Sequence, residues 1–232
     1  MLRLFHFLLG LLLLPLCVAV TQLFIDVIRL LPGPDAISPL FWWFLGGFAF
    51  WVVLFIALPR PTLTYVLAHE LTHALWGLMM GARVSKLRVG SRGGSVVVSR
   101  NNVWITLAPY FFPFYTFLAL ILFALLRLKW TMDVYFPFWA ALIGLTWSYH
   151  LTFTAMALNV QQPDIKIHGR VFSYALIYLI NLLCGAAALA FLTATSFTDL
   201  GHLLLDRSMN AYLVAGQWLI DLWDQAWSLW PG

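Results

Sequence analysis

The stretch TLTYVLAHELTHALWGLMMG, residues 62–81, combines the length of a membrane helix with a group of ionisable side chains. An α-helix needs about 20 mostly apolar residues to cross a bilayer. At the centre of this stretch, His69, Glu70 and His73 stand in the order His-Glu-x-x-His. Residues four apart lie on nearly the same face of a helix, so the two imidazoles are expected to point in one direction.

The composition of the whole chain is that of a membrane protein. Of its 232 residues, 62% are hydrophobic and 9% are charged, whereas soluble domains have roughly 45–50% and about 25%. Its 13 positive and 9 negative side chains are too few to cover a soluble fold of this size. The composition therefore excludes a soluble enzyme, a disordered chain and a disulfide-rich secreted domain, and predicts a polytopic membrane protein.

The net charge of +4 comes from basic residues that are spread through the predicted loops. No dense basic patch with interleaved aromatic residues is present, so no nucleic-acid partner is expected. The two cysteines, Cys17 and Cys184, both fall in apolar runs and lack the spacing of a zinc or redox motif.

Six apolar runs of about the spanning length predict six transmembrane helices. They cover residues 7–30, 39–58, 62–81, 109–127, 135–158 and 171–195. Pro109 suits the start of the fourth helix, because proline is favoured in a first helical turn. The tail from about 209 to 230 is rich in tryptophan, which favours the membrane interface. We expect an amphipathic helix at that interface, with a seventh span as the alternative.

Two polar segments, residues 82–103 and 159–170, separate these runs. The first contains five basic residues among valines, and Gly93-Gly94 offers a turn between two β-rich pieces. It predicts a short β-hairpin over residues 83–100 at the membrane surface. Because basic residues favour the cytoplasmic side, their distribution places the N-terminus outside and both polar segments inside.

The expected fold is thus an all-α polytopic membrane protein of about six transmembrane helices, with a small membrane-surface hairpin and a C-terminal amphipathic helix. We divide it into two N-terminal helices (1–61), a core with the His-Glu-x-x-His helix, the hairpin and three further helices (62–195), and an interfacial tail (196–232). The chain is short and carries no recognisable targeting signal, so we expect it in the bacterial cytoplasmic membrane.

The His-Glu-x-x-His pattern predicts a metal centre. His69 and His73 can bind one zinc ion, and the carboxylate of Glu70 can take a proton from a water that the ion activates. Glu70 is the only glutamate in the chain. Ionisable residues inside a membrane are costly, which favours a functional role. The alternatives are a buried His/Glu cluster that only joins helices, and an inactive zinc site.

A catalytic zinc ion needs a third protein ligand and one open position. A second glutamate is unavailable, and Trp76 and Met79 occupy positions that are glycine and histidine in the extended form of the motif. An aspartate or a distant histidine therefore remains as the third ligand.

Asp164 is the first candidate for this ligand, because it follows Pro163 in a polar segment where non-helical backbone can fold towards a cavity. The alternative is an interfacial aspartate that pairs with Lys166 or Arg170. His150 is the rival candidate. It is either a third ligand or a donor that stabilises the oxyanion of the reaction, and otherwise a histidine that packs between helices.

These residues resemble the site-2 protease family of intramembrane zinc metalloproteases. The features that match are the His-Glu-x-x-His helix, Gly81-Ala82-Arg83-Val84, a basic β-rich loop with Gly-Gly, two further spans and then Pro163-Asp164. The resemblance covers residues 62–195. It implies that His69, His73 and Asp164 bind zinc and that Glu70 is the catalytic base. The family's usual Leu-Asp-Gly reads Pro163-Asp164-Ile165 here.

The function that these features imply is a zinc-dependent endopeptidase that cleaves a membrane-associated or transmembrane protein within or near the bilayer. Its expected partners are that membrane protein or peptide substrate and the lipid bilayer. A catalytically inactive membrane pseudoprotease that binds single-span partners is one alternative, although it would not need Glu70. A transporter is another, but it would carry polar residues in several spans.

Overall fold

The computed structural model describes residues 2–31, 37–90, 93–160, 162–193 and 196–229. Within these ranges the chain is mostly helical, with nine α-helices and one two-stranded antiparallel hairpin. It divides into two compact units, Met1–Ile37 with Gly169–Gly232, and Ser38–His168. These boundaries differ from the predicted divisions after residues 61 and 195.

The first unit contains three helices, α1 (Leu2–Arg29), α8 (Arg170–Leu192) and α9 (Phe197–Ser228). Helix α1 packs against both of the others. The hydroxyls of Thr21 and Tyr178 lie 2.7 Å apart between α1 and α8. Helix α9 begins after Ser196, whose hydroxyl accepts hydrogen bonds from the first backbone N–H groups. It is longer than the predicted tail helix, and none of its described residues is buried.

The second unit holds the remaining elements. They are α2 (Pro39–Ala57), α3 (Thr62–Met79), β1 (Val84–Gly90), β2 (Gly93–Val98), α4 (Val103–Phe111), α5 (Phe114–Arg127), α6 (Phe136–Leu158) and α7 (Pro163–His168). Helices α2 and α6 pack closely along their lengths. Proline at the first helical position, as at Pro39 and Pro163, has no N–H to leave unpaired there.

An aromatic cluster fixes α3 against α2 and α6. Trp51 of α2 packs on Tyr149 and Phe153 of α6, and its indole N–H donates to the Thr152 hydroxyl over 2.9 Å. Tyr65 of α3 stacks on Phe153, with ring centroids 4.8 Å apart. Tyr65 lies one helical turn before His69, so this contact orients the face of α3 that carries the motif.

The predicted fourth span is not a single helix. Helices α4 and α5 meet at an angle of 78°, with the break at Phe112 and Pro113. Proline removes a backbone donor and forces the residue before it out of the helical conformation, which accounts for the extended Phe112. Pro109 therefore lies inside α4, and its prediction as a helix start is wrong. Residues 105–111 of α4 are all buried.

Three of the described helices, α1, α2 and α8, are long and apolar enough to cross a membrane. The bent pair α4–α5 makes a fourth if it counts as one broken span. This count supports a multi-pass membrane protein. Helices α3 and α6 are not among these candidates, because both interrupt their apolar residues with polar ones that include His69, Glu70 and His150.

The two-stranded hairpin is confirmed, with Val84 paired to Val98 and Arg88 paired to Ser95. The prediction that Gly93-Gly94 forms the turn is wrong. These residues begin β2, and the connection at residues 91–92 lies outside the described part of the chain. Both strands pack on α3. Val98 of β2 contacts α3 at Gly77, where a larger side chain would collide with Val98.

Candidate metal centre

Three side chains that the sequence singles out meet in the second unit. The Nε2 atoms of His69 and His73 lie 3.2 Å apart. Oδ2 of Asp164 lies 3.4 Å from the first and 3.5 Å from the second. Ligand atoms of a tetrahedral ion with bonds of about 2.0–2.1 Å are about 3.3–3.4 Å apart. The triangle therefore has the size and the donor atoms to hold a metal ion.

Hydrogen bonds orient the two imidazoles towards the triangle. Nδ1 of His73 lies 2.7 Å from the backbone carbonyl of Ile105 in α4. A carbonyl only accepts, so Nδ1 carries the proton and Nε2 keeps its lone pair free for an ion. Nδ1 of His69 lies 3.4 Å from the hydroxyl of Tyr65, one turn earlier in α3. Both rings thus present Nε2 to the same point.

Asp164 reaches the triangle from the first turn of α7, a helix of six residues. Burial alone would raise the pKa of its carboxyl group. When the two imidazoles are protonated, their hydrogen bonds and charges outweigh this effect and hold the pKa of the carboxyl group well below its usual range. Asp164 is therefore present as a carboxylate, which is the form that binds a cation. Oδ2 also accepts a hydrogen bond of 3.0 Å from the hydroxyl of Tyr110.

Glu70 is buried beside the triangle without belonging to it. It lines a cleft of about 280 Å³ together with the three clustered side chains. The other walls of the cleft come from β2, the start of α4 and the segment before α7; they include Ser95, Val96 and Gln162. A carboxylate in this position can exchange a proton with a molecule that enters the cleft.

Strand β2 passes directly over Glu70 at Gly94. A Cβ atom at Gly94 would lie 2.7 Å from Cγ of Glu70 and 2.7 Å from Cγ1 of Val66. Only glycine allows this approach, because any side chain would push the strand away from α3. Gly94 therefore determines how closely β2 approaches Glu70 at this wall of the cleft.

Replacing Gly94 with alanine is expected to destabilise the protein by about 1–3 kcal/mol, the usual effect of overpacking a close contact. Thermal unfolding of the purified chain measures this effect. Gly90 is the matched control in the neighbouring strand, because its nearest contact would be the Gly93 carbonyl oxygen at 3.4 Å. Equal unfolding temperatures for Gly94→Ala and Gly90→Ala would show that the close contact does not exist.

His150 lies apart from the triangle. Within the described residues, the clustered ligand atoms belong to His69, His73 and Asp164, and His150 contributes none. It is buried in α6 and lines a separate cavity of about 20 Å³ that His69 and Tyr149 also line. A cavity of this size has room for one water molecule. The structure thus favours Asp164 over His150 as the third ligand, and the oxyanion role of His150 stays a prediction.

Tyr110 is the residue of this site that the sequence reasoning missed. It stands in the apolar, aromatic run Ala108-Pro109-Tyr110-Phe111-Phe112, where nothing separates a functional tyrosine from a packing one. Its proximity to Asp164 depends on the break between α4 and α5, which the predicted straight helix did not include.

Comparison of the chain with models of protein families, with curated proteins and with solved structures gave no match.

Proposed function

We propose that this chain is a zinc-dependent endopeptidase that cleaves a membrane-associated or transmembrane protein within or near the bilayer. One observation carries the proposal. The carboxylate of Asp164, more than ninety positions further along the chain, lies within 3.5 Å of both histidines of the His-Glu-x-x-His motif. Glu70 lines the cleft into which this triangle opens.

The donor set supports zinc as the ion. Two imidazole nitrogens and one carboxylate oxygen form the ligand set of several zinc peptidases, which leave the fourth position open. Softer ions favour thiolates, whereas calcium and magnesium favour a shell of oxygens. Three donors on one side of a cleft leave the opposite side free for water and substrate.

The protein groups then have separate tasks. A zinc ion held there would supply the Lewis acidity that activates a water and a peptide carbonyl. Glu70 accepts the proton of the attacking water and passes it to the nitrogen of the leaving amine. His69, His73 and Asp164 hold the ion beside Glu70. We keep His150 as a candidate donor towards the developing oxyanion.

The cleft requires an extended substrate. A helix hides its backbone carbonyls in internal hydrogen bonds, so a transmembrane substrate has to unwind before cleavage. Strand β2 lines the cleft with Ser95, Val96 and Val98, and its described partner in the sheet is β1 alone. We infer that the substrate segment adds to the hairpin as a further strand.

The proposal includes a membrane setting. The three to four candidate spans support integration into the bilayer. We place the hairpin and the segment 159–170 on the cytoplasmic side, α9 at the interface, and α3 and α6 within the membrane, which gives about six spans. The bacterial cytoplasmic membrane is the compartment that we propose.

Reconstitution with single-span substrates tests this function. We expect purified protein in liposomes to cleave a susceptible substrate, to stop when a zinc chelator is added and to recover when Zn²⁺ is restored. Capture of the substrate by zinc-loaded protein without any cleavage would instead indicate a pseudoprotease. Cleavage that a chelator does not affect would contradict a metal-dependent reaction.

A further inference from the structure

Helix α4 joins the two segments that carry the clustered side chains. The Ile105 carbonyl accepts from His73 of α3. The Tyr110 hydroxyl donates to Asp164 of α7 over 3.0 Å. The hydroxyl of Thr106 lies 3.2 Å from Nε2 of His168, also in α7. Helix α4 ends at the break before Pro113, and these contacts join it to α3 on one side and to α7 on the other.

Among these contacts, the one from Tyr110 reaches the ligand atom itself. The oxygen that accepts its hydrogen bond is Oδ2, the same atom that lies 3.4 Å and 3.5 Å from the two histidines. Tyr110 also sets the edge of its ring against His69, with centroids 5.3 Å apart and planes at 85°. One side chain therefore contacts two of the three clustered residues.

Tyr110 has no access to a substrate. It is 0% exposed, and it is not among the residues that line the cleft. Its hydroxyl therefore acts on the site from outside the cleft, and Asp164 is the clustered residue to which it donates. In this respect Tyr110 differs from Glu70, whose side chain lines the cleft.

We propose that Tyr110 is a positioning residue of the metal centre, and that its hydroxyl fixes Oδ2 of Asp164 as the third ligand. This inference rests on the proposed metal-binding function. Helix α7 has only six residues, so its own backbone restrains the carboxylate little. A hydrogen bond to one lone pair of Oδ2 leaves the other lone pair available to a cation and limits rotation of the carboxyl group. Outer hydrogen-bond partners of this kind orient metal ligands in many sites.

The test is the Zn²⁺ affinity of the full-length chain, measured in detergent by competition with a chromophoric chelator. We expect Tyr110→Phe to bind Zn²⁺ about 10–100-fold more weakly than the wild type, because losing an outer partner of a ligand typically has this effect. Tyr115→Phe is the matched control. It also removes a tyrosine hydrogen bond, which runs from an exposed hydroxyl to the Thr64 carbonyl over 2.8 Å and involves no clustered residue. Its affinity is expected to equal that of the wild type.

A double-mutant cycle with Asp164→Asn separates positioning from general destabilisation. If Tyr110 acts through the carboxylate, Tyr110→Phe has little further effect on Zn²⁺ affinity once Asp164 is already changed. A loss of the same size in both backgrounds would overturn the proposal, as would unchanged affinity in Tyr110→Phe alone. Wild-type protein that binds no Zn²⁺ would contradict the proposed function itself, an outcome distinct from these two.

Discussion

Replacing Glu70 with glutamine is expected to reduce substrate cleavage by about 10²–10⁴-fold, the usual contribution of a general base. Glutamine has nearly the same shape, so it can remain under Gly94 and preserve the packing of β2 on α3. It lacks the basic carboxylate that accepts a proton from water. The three clustered side chains are untouched, so the zinc content of Glu70→Gln is expected to equal that of the wild type. Cleavage rates in liposomes and metal analysis of the same preparations measure both effects.

Ser95→Ala provides the control for the Glu70 experiment. Ser95 lines the same cleft but has no proposed role in proton transfer. We expect its zinc content to be unchanged and its cleavage rate to remain far above that of Glu70→Gln. If Glu70→Gln cleaved the substrate at the wild-type rate, Glu70 would not be the base, even if the metal centre is real.

Replacing Asp164 with alanine is expected to release the metal, whereas His150→Ala retains it. Asp164 places a carboxylate oxygen within 3.5 Å of both imidazoles, so its loss removes one of three ligands. The affinity for Zn²⁺ should fall by more than the roughly 10–100-fold that follows loss of an outer hydrogen-bond partner. Titration of each metal-free variant with Zn²⁺ measures the difference.

His150→Ala is the informative comparison, because the sequence offers both His150 and Asp164 as candidates for the third ligand. His150 is buried within the same unit but contributes no atom to the described triangle. If His150→Ala lost the metal while Asp164→Ala kept it, the ligand assignment would be wrong. Loss in both variants, with intact folding, would indicate that the His150 cavity supports the metal centre.

The shared direction of the two histidines could be predicted from the sequence because it depends only on the periodicity of an α-helix. A spacing of four residues places His69 and His73 on one face whatever surrounds the helix. The hairpin could be predicted because two β-rich pieces flank Gly93-Gly94, although these glycines begin β2 rather than form the turn. Asp164 could be named as a candidate because it follows Pro163 in a polar segment whose backbone can fold towards a cavity.

The parts that could not be predicted depend on contacts between distant segments. Pro113 breaks the fourth apolar run, but apolar composition continues across the break, so hydropathy alone indicates one helix. Tyr110 lies in α4 just before that break and donates to Asp164, 54 positions away in sequence. Gly94 likewise looks like a turn residue in the sequence, whereas its smallness serves the approach of β2 to Glu70. The sequence around Tyr110 does not indicate its contact with Asp164, and the sequence around Gly94 does not indicate its approach to Glu70.

Zinc K-edge X-ray absorption on the purified, full-length chain tests the central claim most directly. We predict about one zinc ion per chain, with nitrogen and oxygen neighbours at about 2.0–2.1 Å and the outer-shell scattering of two imidazoles. The double variant His69→Ala/His73→Ala should bind no zinc and therefore show no zinc absorption edge. Sulfur neighbours at about 2.3 Å, or the absence of bound zinc from folded wild-type protein, would contradict the account.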